Sequence, residues 1–197
     1  MGQSTRGVVV LIVAGCVAPA VGAAAPPDIR GFWEHDACVV QEREGRRTGS
    51  RSAFAFFDRE WGLVFTQYAD EDCRVRVSTA VMRGTYESTG PSTSVPGAYE
   101  TTFRFNYRGL VVFDEVLLAT VRASCEPGSW KLEEEREVTA RGCLWLESLE
   151  ACAQEYDLVA VDGRSLRLGE RPLAGRNLCA PERRPTRVRA VPLARRR

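Results

Sequence analysis

Apolar and polar residues alternate with a period of two along much of the chain, as they do in strands that have one buried face. The stretch 73–87 opens with Val75 and Val77 set against two arginines. The stretch 99–107 puts aromatic side chains on one face and polar ones on the other, namely Phe103, Phe105 and Tyr107 against Thr102, Arg104 and Asn106. Both stretches are therefore predicted to be strands.

Further strands are predicted where short aromatic or branched runs are bounded by turn residues. They cover 51–58, 61–68 after a turn at 58–60, 109–116 after a turn at Arg108-Gly109, 129–139 and 143–149. The stretch 154–169 is predicted to form a hairpin with Asp162-Gly163 as a type I′ turn. Residues 88–97 have loop composition, and only at 116–123 does a short helix compete with a strand.

This succession of short strands and turns indicates an antiparallel sandwich or barrel. The chain has 197 residues, which is the length of about one ordinary domain once a leader is subtracted. No internal repeat and no second domain is evident in the sequence. We therefore expect one all-β domain.

Residues 1–25 have the pattern of an export leader, with a positive charge at Arg6, an apolar run, and small residues for cleavage near Ala23 or Ala25. The apolar run is too short to span a bilayer. Alternatively, the VAGC stretch resembles a bacterial lipobox, in which Cys16 is lipidated and the following residues form a tether to the membrane. Either leader places the domain outside the cytoplasm, as a secreted, periplasmic or lipid-anchored protein of the cell envelope.

Six cysteines follow the leader, and an even number in an exported chain indicates disulfides: Cys38, Cys73, Cys125, Cys143, Cys152 and Cys179. Zinc sites need closely spaced ligand pairs, whereas the tightest spacing here leaves eight residues between two cysteines. A redox C-x-x-C motif is also absent. The sequence leaves the connectivity open, and pairing of neighbours is the simplest arrangement.

Charge does not indicate a nucleic-acid partner, because the net charge is only +1. The distribution is uneven, since residues 181–197 carry seven arginines and one glutamate. We treat these residues as a separate basic C-terminal segment. Its positive charge could contact anionic lipid headgroups.

No catalytic arrangement is evident. A Ser-His-Asp or Cys-His site would have to use His35, the only histidine, and no G-x-S-x-G elbow or phosphate-binding glycine loop is present. A metal site of His35 with Glu34 and Asp36 is disfavoured, because adjacent residues of a strand point to opposite faces. We therefore predict a protein that is not an enzyme, with no cofactor and no bound metal.

Several motifs occur in an order that resembles one domain family. GFWEHDACVV (31–40) is similar to a G-x-W-x4-C opening, and WGLVFTQYADEDC (61–73) to a W-x-G…Y-x-D-x-x-C segment, although here the glycine follows the tryptophan directly. CEPGSWKLEEEREVTARGC resembles a C-x-x-G-S-W…D-V-T…G-C block, with Glu137 where aspartate is usual. Residues 155–172 and 184–193 resemble the closing G-x-R-P and R-P-T…P-L elements. The family is the APC-down-regulated (APCDD) domain of secreted Wnt antagonists of animals.

The resemblance implies a single antiparallel β half-barrel, lipocalin-like, over residues 28–180, with 181–197 in part its closing element. It implies disulfides matching Cys38–Cys73 and Cys125–Cys143, while Cys152 and Cys179 look like an additional local pair. It also implies a hydrophobic pocket that takes acyl chains, such as the lipid on Wnt. Because the animal proteins carry two such domains and a membrane-anchoring segment, the pocket is transferred to this chain and the Wnt partner is not.

A curved sheet without a helix over its concave face must close on itself or leave a pocket. The aromatic residues predicted to line that pocket and bind ligand are Phe54, Phe56, Phe65, Phe103, Phe105 and Tyr107. Tyr107, Arg104 and Tyr86 are proposed for its polar rim. The expected function is an exported, non-enzymatic protein that binds a lipid, an acyl chain or another elongated apolar ligand. The alternatives are an interaction module of the cell envelope with a packed interior, and a hydrolase of envelope lipids or glycans.

Overall fold

The computed structural model describes residues 25–43, 45–125, 128–171 and 177–196. The expected leader, with Cys16, lies outside these residues apart from Ala25. The strands, in chain order, are β1 Gly31–Glu34, β2 Val39–Arg43, β3 Arg46–Phe56, β4 Glu60–Tyr68, β5 Arg76–Pro91, β6 Ala98–Val112, β7 Arg136–Glu137, β8 Gln154–Asp162, β9 Ser165–Leu168 and β10 Leu193–Arg195. One helix, α1 (Glu115–Ser124), follows β6, and a 3-10 turn covers Pro181–Arg183.

Eight of these strands form a closed antiparallel barrel in the order β1-β10-β9-β8-β6-β5-β4-β3, and β3 pairs back with β1. Strand β2 pairs with the first half of β3, and the two-residue β7 pairs with β6. The predicted all-β antiparallel fold is confirmed, and the sheet continues beyond a half-barrel to full closure. Closure leaves the ring itself without an unpaired edge.

The two ends of the described chain meet at the seam of the barrel. Strand β10 lies within the basic C-terminal segment and pairs with both β1 and β9. Leu193 points its side chain into the core, and the Arg195 guanidinium lies 5.2 Å from the ring centroid of Trp33. The C-terminal segment therefore supplies a barrel strand.

Strand β6 runs without interruption from Ala98 to Val112, so the predicted turn at Arg108-Gly109 is wrong. Gly109 instead pairs with Val81 of β5 and with Glu137 of β7, in the middle of the sheet. A side chain at Gly109 would collide with the Glu135 carboxylate, which lies against the strand there. The glycine therefore permits close packing and does not mark a turn.

Two other predicted strands are also wrong. Within 129–139, only Arg136 and Glu137 enter the sheet, and Glu133 has a φ of +61° that interrupts an extended backbone. The stretch 143–149 folds into a tight turn, in which Cys143 bridges to Leu146 and Leu144 has a φ of +55°. Most of their side chains are exposed, and the packing of a few buried ones, Trp130 and Val138 in the first stretch and Cys143 and Leu146 in the second, overrides the strand-like composition.

The hairpin predicted within 154–169 is present as β8 and β9, but its turn differs from the prediction. Asp162 pairs with Ser165, so the two turn residues are Gly163 and Arg164. Gly163 has a φ of +56°, whereas Arg164 does not have a positive φ. A type I′ turn requires a positive φ at both positions, so that assignment is incorrect.

The helix that competes with a strand at 116–123 forms as α1. Asp114 caps it, because its carboxylate accepts a hydrogen bond from the Leu117 N–H at 2.8 Å. Leu118 and Val121 are buried against the core. Within the described ranges, no helix has both the length and the apolar character that crossing a bilayer requires.

Three disulfides join neighbouring cysteines: Cys38–Cys73, Cys125–Cys143 and Cys152–Cys179. The first fastens the start of β2 to the β4–β5 connection, and the second fastens the end of α1 to the 143–149 turn. The third fastens the segment before β8 to the chain near residue 179. Three disulfides are typical of an extracellular protein, as the sequence predicted.

Candidate functional site

A cavity of about 410 Å³ lies inside the barrel. One wall is apolar and comes mainly from four consecutive strands of the ring, β3 to β6. Its side chains are Phe54, Trp61, Leu63, Phe65, Met82, Phe103 and Phe105. Trp61 contacts Phe103 and Phe105 edge to face, at centroid distances of 5.0 and 5.3 Å, so this wall is a connected aromatic surface.

Four of the six predicted ligand-binding aromatic residues line this cavity, namely Phe54, Phe65, Phe103 and Phe105. Phe56 is fully buried and lies outside the lining, with its ring packed against Tyr86 at 5.3 Å and Phe103 at 6.2 Å. Phe56 is therefore a residue of the packed core and not part of the cavity wall. Whether the four lining residues bind a ligand stays a prediction.

Tyr107 lies on the outer face of the barrel, so the prediction that it shares a face with Phe103 and Phe105 is wrong. A β-bulge causes the difference: Tyr107 pairs with Arg83 and Phe105 with Gly84, which leaves Asn106 without a partner on β5. One extra residue reverses the alternation of inward and outward side chains beyond it. Tyr107 therefore points outward, and its neighbour Arg108 points inward.

On the outer face, the Tyr107 hydroxyl donates a hydrogen bond to Glu135 Oε1 at 2.6 Å. That bond raises the pKa of Tyr107 to about 12, because it favours the protonated phenol. The other two residues predicted for a polar rim are also absent from the cavity lining. Arg104 is exposed and pairs with Glu87, and Tyr86 packs against Phe56.

Arg108 takes the inward position and is 2% exposed. Its guanidinium stacks on the Phe105 ring at 4.0 Å and donates hydrogen bonds to the carbonyls of Glu147 and Cys152, the latter at 2.7 Å. Burial lowers the pKa of Arg108 from its ordinary value. The sequence prediction missed this residue, because the pattern around it gives no sign of the bulge.

The opposite wall of the cavity is polar. Strand β8 turns Glu155 and Asp157 inward, and Arg171 and Arg189 come from the chain after β9. Arg171 pairs with Glu155 at 2.6 Å and lies 3.7 Å from Asp157 Oδ2. The cavity is thus two-faced, with aromatic rings on one side and charged groups on the other.

Asp157 is the most deeply buried acid of this wall. Its Oδ1 accepts hydrogen bonds from the N–H groups of Leu158 at 2.7 Å and Gly169 at 2.9 Å, whereas Oδ2 has no hydrogen-bond partner among the described residues. Burial raises the pKa of Asp157, although Arg171 and Arg189 act in the opposite direction. The sequence held a signal for this wall, since Glu155 and Asp157 share a face with Val159 on an apolar strand.

We expect Asp157→Ala to lower the free energy of unfolding by about 1–3 kcal/mol, because the Leu158 N–H loses its carboxylate acceptor. Asp157→Asn should cost less, since an oxygen acceptor remains. The raised pKa adds a dependence on pH: the folded wild type binds a proton that the unfolded chain releases. Its stability relative to Asp157→Asn should therefore fall as the pH rises from 3.8 through the folded-state pKa.

Denaturant unfolding of the wild type and both variants over a pH series measures these differences. Asp162→Asn is a matched control on the same strand, because Asp162 is exposed. A stability difference between wild type and Asp157→Asn that stays constant over the acidic range would contradict the assignment.

His35 is buried, and its ring is hydrogen-bonded to the backbone of β3. Its Nδ1 accepts a hydrogen bond from the Ser52 N–H at 3.1 Å, which places the proton of the neutral ring on Nε2. Burial lowers the pKa of His35, so the neutral form is favoured. Within the described residues, no group of three or more histidine, cysteine, aspartate or glutamate side chains is arranged to hold a metal ion.

The 143–149 turn covers the cavity at one end through Trp145 and Leu146. The Trp145 ring contacts Phe65 edge to face at a centroid distance of 5.6 Å, and Leu146 is buried. The Cys125–Cys143 disulfide fixes the start of this cover to α1. The sequence prediction placed these residues in a strand and so missed their part in the cavity.

Comparison with protein families identifies the family of this chain. Residues 17–170 match the family described as Adenomatosis polyposis coli down-regulated 1, a span that contains β1 to β9 and most of the cavity wall. Among curated proteins, none matches this chain. The match to the family covers well over half of the sequence. The chain therefore belongs to the APCDD family.

Proposed function

We propose that this protein is an exported, non-enzymatic binding protein whose barrel cavity holds an acyl chain or another elongated apolar ligand. The observation that carries the proposal is the cavity of about 410 Å³ lined by aromatic side chains. Cavities that bind small molecules are typically about 300–1,000 Å³, mostly apolar, and equipped with a few polar groups that orient the ligand. This cavity has a volume in that range, a connected apolar wall, and polar groups on the opposite wall.

Burial of apolar surface would supply most of the affinity. Each methylene group that leaves water for an apolar environment contributes about 0.8 kcal/mol. The connected surface of Trp61, Phe103 and Phe105 offers a wall along which a chain of methylene groups can lie. A flexible acyl chain fits such a wall better than a rigid polar molecule, because it follows the curvature of the barrel.

The cavity favours this function over the two alternatives. An interaction module with a packed interior would need no cavity of this size. A hydrolase that used His35 as general base would need a ring nitrogen free to accept a proton, whereas Nδ1 already accepts the Ser52 N–H and the neutral ring carries its proton on Nε2. The disulfides support a site of action outside the cytoplasm. Lipidation of Cys16 and attachment to a membrane remain predictions about residues outside the described part.

We expect Phe65→Ser to weaken acyl-chain binding by about tenfold, which corresponds to about 1.4 kcal/mol of lost apolar contact. Phe65 lies on the cavity wall and contacts the cover through Trp145. Val64→Ser is the matched control, since Val64 is the preceding residue of β4 and is 44% exposed on the outer face. That variant should bind like the wild type.

Displacement of a fluorescent fatty acid measures the affinity, and native mass spectrometry measures occupancy and stoichiometry. The delipidated wild-type protein should bind one chain. The proposal fails if neither method detects acyl binding by the wild type. It also fails if Val64→Ser and Phe65→Ser weaken binding equally, because the ligand would then lie outside the cavity.

A further inference from the structure

The cavity contains a buried cation, Arg108, that forms no direct ion pair with a carboxylate of the described residues. Arg108 is 2% exposed, and its described hydrogen bonds from the guanidinium go to two backbone carbonyls. Within the described residues, no carboxylate lies within 4.0 Å of it. A buried guanidinium normally pairs with a carboxylate, because the loss of hydration is costly without a counter-charge.

The acids of the cavity are engaged elsewhere. Glu155 forms an ion pair with Arg171 at 2.6 Å, and Glu147 accepts a hydrogen bond from the Asn177 amide at 3.3 Å. Asp157 lies beside Arg171 and is held by backbone N–H groups. Arg171 thus has direct carboxylate partners, whereas Glu155 and Glu147 attract Arg108 only at longer range and form no ion pair with it.

Arg108 also lies beside the aromatic wall, where the apolar tail of an amphipathic ligand would join its polar head group. Its guanidinium stacks on Phe105, which belongs to the aromatic wall, and the Phe105 ring contacts Trp61. The two carbonyls that accept from Arg108 hold its plane in place. Arginine presents its remaining N–H donors in a planar fork that matches the two oxygens of a carboxylate or phosphate.

We propose that the ligand is an acyl chain with an anionic head group, and that this head group forms an ion pair with Arg108 inside the cavity. The inference rests on the proposed function, because it names the ligand class for the same cavity. The anion supplies the direct ion pair that no described carboxylate forms with Arg108. The tail then extends from Phe105 along the aromatic wall toward Phe65.

The test compares three ligands of equal chain length at about pH 8, where a carboxylic acid is ionised. They are hexadecanoate, its uncharged methyl ester, and hexadecyl phosphate. The wild type should bind the two anions at least about tenfold more tightly than the ester. The tighter of the two anions shows whether the head group is a carboxylate or a phosphate.

Arg108→Met keeps the apolar stem and removes the charge. It should lower the affinity for both anions to about that for the ester. Arg104→Met is the matched control on the same strand, because Arg104 is exposed on the outer face and should leave all three affinities unchanged. Circular dichroism confirms that each variant is folded, and Arg108→Lys, which retains a charge, should keep part of the preference.

The results separate the two proposals. If the wild type binds the ester as tightly as the anions, the head-group inference is overturned and the proposed function stands. If none of the three ligands binds, the proposed function itself fails. The comparison of the three ligands on the wild type tests the head-group inference even if Arg108→Met does not fold.

Discussion

Reduction of all three disulfides is expected to unfold the domain. The bridges close loops with sequence separations of 35, 18 and 27 residues. A loop of this size contributes about 3–4 kcal/mol by restricting the unfolded chain, so the three together contribute roughly 10 kcal/mol. A typical domain has a total stability of about 5–15 kcal/mol, of which this is a large share.

Circular dichroism and tryptophan fluorescence, recorded with and without a thiol reductant in mild denaturant, measure the effect. The reduced protein should lose its β-sheet signal under conditions in which the oxidised protein remains folded. Paired cysteine-to-alanine variants, one for each bridge, should each lower the free energy of unfolding by about 3–4 kcal/mol. A reduced protein with an unchanged unfolding midpoint would show that the closed barrel is stable by itself.

Phe56→Ala is expected to lower the free energy of unfolding by about 3–5 kcal/mol. Phe56 is fully buried, and its ring packs against Phe54, Phe103 and Tyr86 at centroid distances of 5.3 to 6.2 Å. Removal of the ring leaves a void that these neighbours cannot fill, since the paired strands β3, β5 and β6 hold them in place. The loss combines the transfer free energy of the ring with the cost of the void.

Phe57→Ala is the control, because Phe57 follows Phe56 directly and is 53% exposed. Denaturant unfolding should show a change for Phe57→Ala that is much smaller than that for Phe56→Ala. Comparable losses in the two variants would contradict the inward orientation of Phe56. Phe54 is two residues before Phe56 on the same face of β3 and lines the cavity. Phe54→Ala should therefore reduce ligand binding as well as stability.

The sequence predicted much of the barrel because most of its strands alternate between a buried and an exposed face. Strands β3, β4 and β5, the first half of β6, and the β8–β9 hairpin follow from that alternation and from the turn residues that bound them. The even number of cysteines predicted disulfides, whereas their connectivity stayed open: neighbour pairing was the simplest arrangement, and the family resemblance implied Cys38–Cys73 and Cys125–Cys143. The alternation did not predict closure of the ring through β10, because three residues in a basic segment carry little strand signal; only the family resemblance implied a closing element within 181–197.

The apolar wall of the cavity could be predicted from the sequence, whereas the inward position of Arg108 could not. Phe103 and Phe105 precede Asn106, so the period of two places them correctly, whereas Tyr107 and Arg108 follow it. No local composition marks the bulge, which arises from the packing of β6 across Gly84. A side chain at Gly84 would collide with the Arg104 carbonyl, so this close approach depends on a partner strand that is distant in sequence.

Joining the first and last strands of the ring has a consequence for the order of folding. The Arg195 side chain donates a hydrogen bond at 2.6 Å to the Arg30 carbonyl, across a sequence separation of 165 residues. Such distant contacts are slow to form, because a long loop must close before they are gained. The cavity therefore cannot close before β10 has been synthesised and has paired with β1, so its interior forms late in the folding of this domain.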